Sequence, residues 1–147
     1  MEKYIDIPTS DNFLISGIIN SKWDTKRLVI FVHGLTGWRN ESHYYAGKEY
    51  FTERWFDVFR FNLYSGGKNK RQLHETNIKE HSIDIQNVMN HFENVYQEVY
   101  LVGHSLAGPS IVWVKAFPEN LKRIIFWDPA FDTSSTILRC FEKNGVW

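Results

Sequence analysis

The chain has a single cysteine, four prolines and no excess of either charge, with 17 basic and 17 acidic residues among 147. One thiol, Cys140, cannot close an internal disulfide, so a reducing, cytoplasmic setting is expected. A formal net charge of zero removes the electrostatic case for nucleic acid or an anionic membrane surface. The short basic run Lys68-Asn69-Lys70-Arg71 reads as a solvated loop. No apolar stretch approaches the ~20 residues of a membrane span, and the opening MEKYIDIPTSDN lacks the pattern of a signal peptide. No repeat, low-complexity tract or linker divides the chain, and its length suits one domain spanning residues 1–147. No His, Cys or carboxylate pair stands at metal-ligand spacing in a suitable turn, so neither metal nor cofactor is expected. Cys140 follows no sharp turn and has no histidine nearby in sequence, which favours a structural thiol over a nucleophile.

What is present alternates regularly. Tyr4–Ile7 and Phe13–Ile19 flank Ser10-Asp11-Asn12 and read as a hairpin. Leu28–His33 is apolar without alternation, as expected of a strand covered on both faces. After a glycine-bearing loop, Ser42 is expected to cap a helix whose Tyr44, Lys48, Phe51 and Trp55 fall near helical spacing. Val58–Asn62 is a further strand. Asn77 and Glu80 have capping-box spacing ahead of a helix marked by Ile78, Ile85, Val88, Met89 and Phe92. Val99–Val102 is a buried strand, the helix opening at Ser105 continues through Ile111–Phe117 until Pro118 stops it, and Leu121–Trp127 is the last strand. Residues 128–147 are irregular or begin another helix. Strands alternating with helices long enough for crossovers define an α/β class with a mostly parallel sheet.

One stretch carries chemistry: Val99 to Lys115, VYLVGHSLAGPSIVWVK. The strand must reverse sharply into a helix at Ser105, leaving a hydroxyl exposed on a strained apex. Residues two before and two after the apex approach each other and must be small, and they are Gly103 and Ala107. Pro109 falls in the first helical turn, where a missing N–H costs little.

The elbow Gly103-His104-Ser105-Leu106-Ala107, the His33-Gly34 loop after an earlier buried strand, and the order of strands and helices together resemble the α/β-hydrolase family over essentially the whole chain. The resemblance implies a hydrolase-like, mostly parallel sheet with an N-terminal hairpin and flanking helices, and Ser105 as nucleophile. It also implies an oxyanion hole from the backbone N–H groups of Leu35 and Leu106, and a lipase- or esterase-like activity on a small acyl or ester substrate. His33 either braces its loop or takes part in catalysis. Asp128, in Trp127-Asp128-Pro129-Ala130, resembles the acid of the pancreatic-lipase branch, which follows the sixth strand, although aspartate before proline also simply makes turns. Asp132 is a weaker candidate.

The family places its histidine after the eighth strand, whereas the six histidines here are 33, 43, 74, 81, 91 and 104. His104 is expected to point away from the serine face, His81 and His91 to cover the sheet far from its catalytic edge, and His43 to begin a helix. His74 lies in a loop on the correct side, without a convincing approach to the serine. Met1 and the hairpin read as a genuine start, and the C-terminal strands of the family are expected to be missing. Leu121–Trp127 then forms an edge that invites self-association. Two functions follow: a serine hydrolase impaired for want of its base, or a binding module that keeps the fold without the chemistry.

Overall fold

A computed structural model of the protein describes residues 1–132. Residues 133–147, including Cys140, lie outside the described residues. Six strands form one sheet: β1 (Glu2–Pro8), β2 (Leu14–Asn20), β3 (Arg27–Val32), β4 (Asp57–Phe61), β5 (Glu98–His104) and β6 (Leu121–Trp127), in the spatial order β1-β2-β4-β3-β5-β6. The hairpin β1–β2 joins β4 antiparallel, whereas β4, β3, β5 and β6 run parallel.

Alternation along the central strands feeds both faces of the sheet. Leu28, Ile30 and Val32 of β3 pack with Phe59, Phe61 and Leu101 beneath the helix α2 (Ile78–Phe92), through Ile85, Val88, Met89 and Phe92. Val29 and Phe31 instead meet Tyr44, Val58 and Val102 beneath the helix α1 (Ser42–Thr52). Asn77 caps α2, its side chain accepting from the N–H groups of Lys79 and Glu80.

Three local expectations give way. Ser42 is the first residue of α1 and caps nothing; Glu41 holds the cap position with extended ψ and no side-chain cap bond. Trp55 lies beyond that helix with φ 65°, stacked on Trp23 at 4.5 Å, so the indole pair rather than helical periodicity places it. The helix after the elbow, α3, runs over Ala107–Val112 and does not continue to Phe117. Past Val112 the chain turns to bury Val114, and the Ala116 N–H donates to the Gln86 side chain, which holds this segment out of a helix well before Pro118.

Candidate active site

Ser105 sits where β5 becomes α3, with φ 52°, in the left-handed region that costs a residue with a Cβ. Close packing around it explains the small neighbours. A Cβ at Gly103 would fall 2.3 Å from Ile111 Cδ1 and 3.3 Å from Ala107 Cβ. The Ser105 backbone is held on both sides: its N–H donates to Trp127 O at 3.2 Å, and its carbonyl accepts from the N–H groups of Gly108 at 3.0 Å and Ala130 at 3.1 Å. That carbonyl shares one planar trans peptide with the Leu106 N–H, so fixing the oxygen inward turns the N–H the opposite way. Among the described residues the Leu106 N–H has no acceptor.

The loop after β3 is built on the same principle. The Gly34 carbonyl accepts from the Gly37 N–H at 3.1 Å and the Tyr64 hydroxyl at 3.0 Å, and lies 2.8 Å from His33 Nδ1. His33 Nε2 accepts from the Leu63 N–H at 3.0 Å, so the imidazole proton resides on Nδ1 and donates to Gly34. The ring is 1% exposed, and burial holds its pKa below the ordinary value, which keeps it neutral. His33 therefore braces its loop. With the Gly34 oxygen fixed by three donors, the Leu35 N–H of the same peptide faces away from them, again without an acceptor among the described residues. The loop lies directly on the serine: a Cβ at Gly34 would stand 2.8 Å from Ser105 Cβ and 3.3 Å from its Oγ.

Asp128 is exposed, directly after β6, with φ 46°. Its turn carries Pro129 against the elbow helix, where a Cβ on Gly108 would meet Pro129 Cβ at 2.7 Å. The turn-making part is thus visible in the backbone. The Asp128 carboxylate makes no hydrogen bond among the described residues. Asp132 is exposed.

All six histidines are described, and none hydrogen-bonds the Ser105 hydroxyl. His74 is exposed in a short 3-10 turn, Leu73–Glu75, and His91 is exposed beside Phe92. His81 departs from expectation. It is 2% exposed and packs 5.8 Å from the Tyr64 ring, which itself meets His33 edge-on at 5.0 Å, so it backs the loop after β3 instead of lying far from it. Burial, with the neighbouring His33 and Arg71 acting in the same direction, lowers its pKa to about 4.

His104 does leave the serine, and it meets His43 with ring centroids 5.1 Å apart. Glu41 joins them, its Oε2 3.2 Å from His43 Nε2. A set suited to a metal ion therefore assembles from two segments distant in sequence, which linear ligand spacing did not reveal. Tyr64, which holds the Gly34 carbonyl, also escaped sequence reasoning, because a tyrosine three residues past a strand carries no signal of its own. Between α1 and β6 lies a groove of about 470 Å³, lined by Phe31, His43, Tyr50, Val102, Ile125 and Trp127. No helix among the described residues is long and apolar enough to cross a membrane.

Residues 27–145 match the family described as the alpha/beta hydrolase fold, and the chain belongs to that family. No curated protein sequence matches it. Among solved structures it is similar to Est1E from Butyrivibrio proteoclasticus with bound ferulic acid, at 24% identity and a TM-score of 0.74, covering 87% of this chain and 53% of that one. A Pyrococcus furiosus esterase, Pf2001, aligns at 16% identity and a TM-score of 0.79, covering 100% of this chain and 56% of that one. The dienelactone hydrolase of Anabaena variabilis aligns at 13% identity and a TM-score of 0.73, covering 88% and 63% respectively. The likeness is one of fold, and the chain spans about half the length of the first two.

Proposed function

We propose that the chain carries the nucleophile half of a serine hydrolase that cleaves a carboxylic ester or related acyl bond through an acyl-enzyme on Ser105. One observation carries this reading. Two peptide N–H groups beside the serine, those of Leu35 and Leu106, are left without acceptors while the carbonyls of their own peptides are held on the far side. Donors fixed before reaction suit the oxygen that becomes negative in a tetrahedral intermediate. Ser105 Oγ would attack the acyl carbon as its proton passes to solvent water, which returns a proton to the leaving alcohol. The C–O bond to the leaving alcohol then breaks, and water later releases the acid. Asp128, tied to the elbow through the Trp127–Ser105 bond, is the proposed acid that would orient a base.

No histidine of this sequence stands ready to be that base, so turnover is expected to be slow. Removing one member of a triad still leaves about 10³–10⁴-fold catalysis over water from binding and oxyanion donors. A second reading, a binding module without the chemistry, draws on the groove of about 470 Å³ beside α1.

Labelling with a fluorophosphonate separates the two. Slow labelling of the wild type and none of Ser105→Ala is expected for the hydrolase. Equal labelling of both removes Ser105 from the reaction, and labelling of neither favours the binding module.

We further propose self-association through β6, which ends the sheet among the described residues and exposes Ile125, Phe126 and Trp127. A monomer at all concentrations in sedimentation would contradict it.

A further inference from the structure

Glu41, His43 and His104 converge on the α1 side of the sheet from two separate elements. Glu41 holds the cap position of α1, His43 lies in its first turn, and His104 ends β5. Each offers one ligand atom, and the three atoms lie within 4.8 Å of one another; among the described residues no other such set of His, Cys, Asp or Glu occurs. All three side chains are half-buried, so a small ion can reach them from solvent.

An ordinary ion pair leaves this arrangement incomplete. His43 Nε2 is 3.2 Å from Glu41 Oε2, yet it is shielded from solvent and lacks a hydrogen bond of acceptable alignment. A neutral imidazole with a free lone pair beside a carboxylate is what a metal ion requires. Metal–ligand bonds of about 2.0–2.2 Å put neighbouring tetrahedral donors roughly 3.3–3.6 Å apart, near the His43–Glu41 separation already present. The two imidazole rings are tilted 60° to each other, not stacked, and Trp127 closes one side at 5.0 Å from His43 and 5.5 Å from His104. Two imidazoles with one carboxylate suit Zn²⁺ and its neighbours Co²⁺ and Ni²⁺, whereas Mg²⁺ and Ca²⁺ favour all-oxygen sets.

We propose that Glu41, His43 and His104 form a divalent transition-metal site that clamps the start of α1 to the end of β5. Water completes the coordination on the open side. The ion serves as a brace between the helix and the strand that carries the elbow, and it takes no part in the acyl chemistry proposed for Ser105.

The test uses the full, untagged chain stripped of metal, titrated with Zn²⁺ against a chromophoric chelator and with Co²⁺ read by visible absorption. One equivalent of Zn²⁺ per chain is expected, with Co²⁺ bands of a low-coordinate nitrogen–oxygen site and a Tm that rises with added Zn²⁺. Glu41→Gln and His43→Gln, each checked for native circular dichroism, should weaken Zn²⁺ by at least about tenfold and abolish the rise in Tm. His74→Gln, His91→Gln and Cys140→Ser should bind as the wild type does. Less than one equivalent bound by the wild type overturns the proposal. So does wild-type affinity in folded Glu41→Gln and His43→Gln chains, or loss of binding in Cys140→Ser.

Discussion

β3 and β6 flank β5 on opposite sides with a similar apolar character and opposite fates. Leu28 to Val32 are at most 4% exposed, covered by α1 on one face and α2 on the other. Ile125, Phe126 and Trp127 are 44%, 40% and 43% exposed, and only β5 pairs with their strand among the described residues. An apolar run states that a strand wants cover; whether cover arrives depends on elements elsewhere in the fold. Lys122 and Arg123, both exposed near the start of β6, add charge that blunts edge-to-edge pairing there and leave the Ile125–Trp127 end as the adhesive part.

The sharpest contrast is Ile30→Ala against Ile125→Ala. Ile30 is 0% exposed, and its truncation should cost about 2–5 kcal/mol in urea unfolding. The same change at half-covered Ile125 should cost less than about 1 kcal/mol. Equal losses would mean that β6 is as well covered as β3.

Acid should weaken the β3 side selectively. His81 titrates near 4 when folded, against an ordinary 6.5. The unfolded chain therefore takes up the proton first as pH falls. The contribution is complete above pH 6.5 and is lost on descending towards about 4, by roughly 3 kcal/mol in all. His33, its pKa also lowered by burial, acts in the same direction. Urea midpoints followed across that window should flatten in His81→Gln.

Gly34→Ala probes the loop that extends β3 over the serine. Its methyl would stand 2.8 Å from Ser105 Cβ and 3.2 Å from the His104 carbonyl, so the loop must shift and carry the Leu35 N–H with it. Fluorophosphonate labelling should slow by about 10²-fold, the usual effect of losing one oxyanion donor such as the proposed Leu35 N–H, and Tm should fall as the loop is displaced. Smallest in stability is Ile125→Lys, within about 0.5 kcal/mol of the wild type by unfolding, but expected to shift sedimentation towards monomer.

Local signals carried most of the fold. The limits of β6 follow from its apolar run, Asn77 announces α2, and the reversal at Gly103–Ala107 becomes a left-handed Ser105. Tertiary contacts hid the rest. Val114 finds the core and ends α3 early, and Trp55 leaves its helix for Trp23. His81 is drawn under the loop after β3 by Tyr64, and His104 reaches across to the start of α1. None of these partnerships leaves a periodic trace, because each joins residues far apart along the chain.

The tie between Ser105 and the residues at and beyond the end of β6 makes the rim of the sheet a lever. The serine amide holds Trp127, and its carbonyl is held by Ala130, so displacement of that rim reaches the hydroxyl through a single residue. Whatever docks along β6, a further strand or another protein, would thereby gain mechanical leverage over the aim of the proposed nucleophile, and an uncovered margin would become a means of tuning it from outside.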